Sequence, residues 1–276
     1  VLPGRDRDVT VLAEMASDEP ALAARLACGS PVSARLFEDK WLSHGFACEN
    51  GLSFAASAVV SPLDGTSGVE RLVERHGYPL VAKPRLGFAS RNVKLIMNRR
   101  QLDAALRVPG LIFQEHLGDA SRAAGFLADC EAEGLPLHYS LEADKFAVQT
   151  LVRRDGEAGT IFCTRQSMHA GRSVEVEAID SAELHQLGAN YARAFAAAGW
   201  RGPLNIQCQL SADGRYRAYE LNGRLTGATA ARYFLGYDEV GAIIEDLLGC
   251  PIPSGKVHGS RLPLKFHKTA GARLED

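Results

Sequence analysis

Apolar and polar residues alternate through Leu204-Asn205-Ile206-Gln207-Cys208-Gln209-Leu210, and again through Tyr216-Arg217-Ala218-Tyr219-Glu220-Leu221-Asn222. Between the two runs Ala212-Asp213-Gly214 supplies a turn, which makes this the pattern of a β-hairpin. Side chains two apart on a strand share a face. Asn205, Gln207 and Gln209 therefore line one side of the first strand, and Glu220 and Asn222 line one side of the second. Opposed across the turn, they form a wall of oxygen donors.

The rest of the pattern divides unevenly. Residues 1–61 read as a strand end at 1–3, a helix over 9–15, and further helical and loop material. A helix over 37–42 is stopped by Gly45, the C-cap preference of glycine. An amphipathic helix over 69–76 ends at Gly77, and a strand over 78–83 opens on Pro79, where no ladder donor is needed. A loop over 85–91, a strand over 92–97, a helix over 99–106 and a buried strand over 111–115 follow. Residues 118–143 are of mixed character and read as an insertion with a short helix. A strand over 145–152 turns at 154–156 into a partner over 160–165, then come a polar loop over 167–173 and a strand at 174–176. Asp180 with Glu183 predicts a capping box for a helix whose Leu184, Leu187, Tyr191 and Phe195 make one apolar stripe, ended by Gly199. Helices from about 226 to 234 and 238 to 248, and a basic Pro/Gly-rich tail from Pro251, complete the chain.

Of 276 residues, 46% are hydrophobic, enough for a buried core in one large or two small domains. Lys+Arg 31 against Asp+Glu 33 gives a net charge of −2, which calls for neither nucleic acid nor a membrane surface as partner. No apolar run approaches the ~20 residues of a spanning helix. The six cysteines show no metal spacing, so reduced, mostly buried thiols and a cytoplasmic location are expected.

Carboxylate and amide oxygens are hard donors, suited to magnesium held jointly with phosphates, and Arg224 follows two residues after Asn222 to offer a forked contact to a phosphate or carboxylate. The 85–91 loop is poor in glycine and lacks the G-x-x-x-x-G-K-[ST] pattern, so it is not a P-loop.

Taken in order, Asp39-Lys40, the strand Tyr78-Pro79-Leu80-Val81-Ala82-Lys83-Pro84, the hinge Gln114-Glu115-His116-Leu117, a strand ending in Asp155-Gly156, the His169-x-Gly171-x-Ser173 loop, N-x-Q (205–207) and E-x-N-x-R (220–224) resemble the ATP-grasp superfamily. The likeness covers roughly residues 35–250 and is nearest to carbamoyl phosphate synthetase large subunits and related carboxylate–amine ligases. It implies an α+β ATP-grasp fold: two α+β lobes clasping ATP, preceded by the remnant of a Rossmann-like N-terminal domain. On that basis residues 1–60 are the remnant with linking helices, 61–117 the first lobe, 118–250 the second with its insertion, and 251–276 a tail.

The resemblance further implies that Lys40 and Lys83 contact the ATP phosphates. The backbone of Gln114 and Leu117 meets adenine, with Glu115 beside them. Gln207, Glu220 and Asn222 face Mg2+ (or Mn2+), Arg224 the transferring phosphoryl group or acyl phosphate, and His169 with the 171–173 backbone the phosphate side. This chain departs from the pattern in several places. Lys145 stands where relatives hold the ribose with Glu, so that either Asp144 or Glu142 substitutes or the contact is lost. Gly223 replaces proline, and Gln207 replaces an acid, weakening a second metal. Gly227 replaces a bicarbonate-binding arginine, which argues against carbamoyl phosphate as product, while the amides of 226–229 at a helix start are expected to cradle a carboxylate. The expected activity is ATP-dependent joining of a small-molecule carboxylate to an amine or ammonia through an acyl phosphate. The alternative is an ATP-binding module without turnover. A homo-oligomer, or a second chain supplying a missing N-terminal part, fits either.

Overall fold

A computed structural model describes residues 1–87, 91–134, 145–169, 172–252 and 265–267, of which 169, 172 and 265–267 are described by backbone alone. Four helices come first: α1 (Asp6–Asp18), α2 (Pro20–Ala23), α3 (Pro31–Glu38) and α4 (Lys40–Glu49). Then follow β1 (Ser57–Val59), α5 (Ser67–His76), β2 (Leu80–Pro84), β3 (Lys94–Ile96), α6 (Arg99–Leu106) and β4 (Leu111–Glu115). These strands make an antiparallel sheet in the order β1-β4-β2-β3.

The second half holds α7 (Ala120–Glu133), β5 (Lys145–Val152), β6 (Phe162–His169), β7 (Arg172–Ala178), α8 (Ala182–Ala197), β8 (Gly202–Leu210), β9 (Tyr216–Asn222), α9 (Thr229–Phe234), α10 (Glu239–Leu248) and β10 (Lys265–His267). Its antiparallel sheet runs β10-β7-β6-β5-β8-β9.

Each sheet buries one face under helices. Val69 and Leu72 of α5 and Leu102 and Ala105 of α6 pack on Leu80, Ala82, Ile96 and Phe113. On the larger sheet the predicted stripe of Leu184, Leu187, Tyr191 and Phe195 is fully buried against Val148, Leu204 and Ile206. Phe37 stacks on Phe195 with centroids 4.6 Å apart and meets Trp200 edge-on at 4.7 Å. Such aromatic pairs add roughly 0.5–1.5 kcal/mol each beyond area burial. They seat α3 so that Glu38, Asp39 and Lys40 come to the edge of the larger sheet.

Several local expectations change. No strand forms at 1–3 among the described residues, and the 9–15 helix is longer at both ends. The 37–42 helix is two helices, broken where Asp39 leaves helical geometry and caps Trp41 N. Gly45 lies inside α4 rather than at its end, because packing of Phe46 and Ala47 carries the helix onward. The cap of α8 is Ser181, whose Oγ accepts from Leu184 N, while Glu183 accepts from Tyr216 N instead of closing a box with Asp180. The polar loop over 167–173 is largely strand, since β6 and β7 pair up to His169 and Arg172. The basic tail contributes β10, paired with Glu175–Glu177 of β7.

Candidate functional site

The hairpin registers as its alternation predicts: Gln207 faces Glu220 and Asn205 faces Asn222, so all four side chains share one face. Just beyond, the register shifts, with Cys208 opposite Ala218, and Tyr219 is the extra residue of a β-bulge. That irregularity aims the Tyr219 ring and carbonyl toward the smaller sheet. Lys83, near the end of β2, is 5% exposed and donates from Nζ to Tyr219 O at 3.0 Å and Gln114 Oε1 at 2.9 Å. Its ammonium lies 5.5 Å from the Tyr219 ring centroid. Burial pulls the Lys83 pKa down to about 8, with the Glu220 charge opposing that fall and Lys40 adding to it. Lys83, Lys40 and Glu220 are thus electrostatic neighbours between the two sheets.

Lys40 reaches the site because Arg85 grips the carboxylate of Asp39 through Nε (3.1 Å) and Nη2 (2.5 Å). Burial disfavours that charge, but the Arg85 contacts and the Trp41 and Leu42 amides hold the Asp39 pKa below its usual value. Lys40 then donates from Nζ to Gly87 O at 2.8 Å. Arg224, just past β9, is held by Asp6 through Nε at 2.5 Å and Nη2 at 3.0 Å. The proline of an Asn-Pro-Arg sequence has no room here. A Cβ at Gly223 would stand 2.6 Å from Phe37 Cδ2 and 2.8 Å from Trp200 Cζ2.

Of the predicted nucleotide residues, Gln114 is buried within the β1-β4-β2 ladder and turns its side-chain oxygen to Lys83, while its amide donates to Ser57 Oγ. Glu115 is committed elsewhere: it accepts from Ala56 N and Arg217 and lies 3.1 Å from His76 Nδ1, tying the two sheets together. Leu117 is buried past the end of β4. His169 is placed by backbone only, at the end of β6 opposite Arg172. Asp144 and Glu142 lie outside the described residues.

The donors differ in their fitness for a metal. The Asn222 amide nitrogen donates to Asn205 Oδ1 at 3.4 Å, which leaves its own oxygen outside that hydrogen bond, on the face it shares with Glu220. Gln207 Oε1, by contrast, accepts from the Tyr219 hydroxyl at 3.2 Å and faces Lys145 Nζ at 3.5 Å. Burial, then the charge of Glu220, keeps the Tyr219 phenol protonated and so a donor. Two donors on one amide oxygen leave Gln207 a poor ligand. Among the described residues no three His, Cys, Asp or Glu side chains gather as a metal centre. One carboxylate with one amide suits magnesium shared with phosphates rather than an all-protein cage. The carboxylate cradle expected at 226–229 does not form: α9 starts only at Thr229, and the amides of Thr226, Ala228 and Thr229 are spent within the turn.

Sequence reading missed Asp6, Tyr219 and Ser57. A bulge leaves no mark in the alternation, and Asp6 meets Arg224 across 218 positions.

Two antiparallel sheets meeting where Lys83 of one reaches Tyr219 of the other match the ATP-grasp fold, as comparison with solved structures shows. The biotin carboxylase domain of 2-oxoglutarate carboxylase from Hydrogenobacter thermophilus, a dimer with MgADP, ADP and bicarbonate, superposes with a TM-score of 0.64 at 13% identity, over 92% of this chain and 54% of that one. N5-carboxyaminoimidazole synthetase from Staphylococcus aureus complexed with ADP gives 0.62 at 10% identity, over 83% and 56%. L-amino acid ligase from Bacillus licheniformis gives 0.60 at 17%, over 88% and 54%. The chain therefore spans about half the length of these proteins. No protein-family model matches it, nor does any curated protein by sequence.

Proposed function

We propose that the chain is an ATP-dependent ligase that joins a carboxylate to an amine or ammonia through an acyl phosphate, releasing ADP and phosphate. The observation that carries this reading is the register of β8 and β9, which puts Glu220 and Asn222 on one face beside buried Lys83. The kinds of enzyme that share the fold support it.

In this reading Lys83 and Lys40 bind the nucleotide phosphates. Both hydrogen-bond acceptors of Lys83 are neutral, so no hydrogen-bonded carboxylate cancels its charge toward an anion. Gln114, Glu115 and Leu117 belong to the adenine end, with His169 on the phosphate side and Asp144 toward the ribose. Glu220 and Asn222 would hold magnesium, with Gln207 as an outer neighbour. Bound there, the ion supplies positive charge that neutralises the phosphate oxygens. Arg224 donates three of its five N–H groups to Asp6 and Leu225 O, which fixes its plane and leaves two for the phosphoryl group in transfer.

The reading as a binding module without turnover draws on one observation, the engaged oxygen of Gln207. ADP release from Mg-ATP, assayed over pairwise mixtures of carboxylates and amines, separates the two. A ligase releases ADP with one such pair, and Glu220→Gln lowers that rate about 10²–10³-fold, the scale on which one fixed electrostatic contact acts. A protein that Mg-ATP stabilises against heat but that yields no ADP with any mixture is the module.

A further inference from the structure

Glu220 and Asn222 line a cavity of about 270 Å³ together with Asp6, Arg7, Phe37, Glu38 and Lys40. Pockets for drug-sized ligands run from roughly 300 to 1,000 Å³, so this one suits a small molecule. Its lining is of two kinds. Lys40 and the Gly87 backbone continue the phosphate side of the site. Asp6 and Glu38 carry carboxylates, which repel phosphate oxygens and attract an ammonium group. Asn222, 2% exposed, lines the same space, so whatever fills it sits against the proposed reacting centre.

We infer that the cavity between Asp6, Arg7 and Glu38 is the acceptor subsite, and that the acceptor is a small amino acid. Its ammonium group lies at Asp6 and Glu38 and its carboxylate at Arg7. The inference rests on the ligase reading above and adds the substrate class to it.

Each residue is placed for its part. Asp6 is fixed by its two hydrogen bonds from Arg224, which account for two of the roughly four acceptor positions of a carboxylate, so it can receive an ammonium as well. Glu38, half-buried, is steadied on one oxygen by Thr10 Oγ1 at 3.1 Å. Arg7, in the first turn of α1, is exposed at the cavity edge and offers the forked donor that a carboxylate matches. Ammonia would need no such arginine.

The chemistry balances. The bound ammonium gives one proton to the Glu38 carboxylate. The freed nitrogen lone pair forms the C–N bond at the acyl carbon, the carbon–oxygen bond to phosphate breaks, and phosphate leaves with that electron pair. The second nitrogen proton goes to the departing phosphate as the amide forms.

The test uses the full chain with Mg-ATP and mixtures that pair each of a panel of small carboxylates, amino acids among them, with each of the twenty amino acids, then the productive pair with Glu38→Gln and Arg7→Gln. Hydroxylamine, a neutral nucleophile with no carboxylate, serves as a second acceptor that traps acyl phosphate as hydroxamate. The inference expects kcat/KM for the amino acid acceptor to fall at least tenfold further than that for hydroxylamine in both variants. Equal falls with the two acceptors overturn it, even if the variants are less stable, since instability lowers both alike. Ammonium chloride serving as well as any amino acid also overturns it, while leaving the ligase reading intact. Neither ADP nor hydroxamate from the unaltered chain with any mixture removes both.

Discussion

Lys83 shows how one side chain links burial to chemistry. In the unfolded chain a lysine stays protonated to about pH 10.4, but in the folded protein Lys83 does so only to about 8. Below pH 8 both states hold the proton, and the fold bears the full cost of burying the ammonium. Between those values the unfolded chain holds more protons, so stability rises with pH across that window. Urea unfolding at pH 7 and pH 10 should therefore show the wild type gaining up to about 3 kcal/mol relative to Lys83→Met. A difference between the two proteins that does not change with pH contradicts the assignment. Because a bound polyphosphate favours the charged form, nucleotide affinity is expected to fall as pH rises through 8. The shared face of Glu220 and Asn222 was legible in the sequence because a strand's period of two fixes which face each side chain takes, whereas Lys83 stood out only through the order of motifs. The Asp6–Arg224 pair was not, since no local pattern joins residues so far apart, and neither were the Glu115 partners Arg217 and His76, which come from elements that only the fold brings together.

At the scale of elements, the hairpin, α6, β4 and β5 follow the apolar pattern closely, and the misses share a cause. Gly45 reads as a stop, yet burial of Phe46 and Ala47 outweighs the roughly 1 kcal/mol that glycine costs inside a helix. The 167–173 segment reads as a loop because its residues are polar, but pairing with β7 satisfies its backbone. The 226–229 turn looks like an open helix start until Thr226 and Thr229 are seen to cap one another. Gly223 marks where element packing dictates a residue: β9 can leave the sheet past Phe37 and Trp200 only without a side chain. Gly223→Ala is expected to lower stability by about 1–3 kcal/mol, the usual cost of overpacking, in a denaturant titration. A variant as stable as the parent would show that the α3 seat, and with it the placement of Glu38 and Lys40, is looser than described.

Among the described residues the two sheets join where β2 meets β9, and the candidate site is the meeting place. Lys83 bonds to Tyr219 O across 136 positions, and Glu115 with Arg217 makes a second tie across 102. The order of motifs along the chain revealed this fold although neighbours of known structure share only 10–18% of their residues with it. Burial periodicity and a few charged positions persist where identity does not. What the order of motifs left dark was the tail, since the partner of β10 lies nearly ninety residues upstream. Among the described residues no helix is long and apolar enough to cross a membrane. The site is tested most directly by a crystal structure with magnesium and a non-hydrolysable ATP analogue. The terminal phosphates are expected within hydrogen-bonding reach of Lys83 Nζ, with a metal ion bound by Glu220 and Asn222. Phosphates remote from Lys83, or an ion coordinated by neither Glu220 nor Asn222, would contradict this placement.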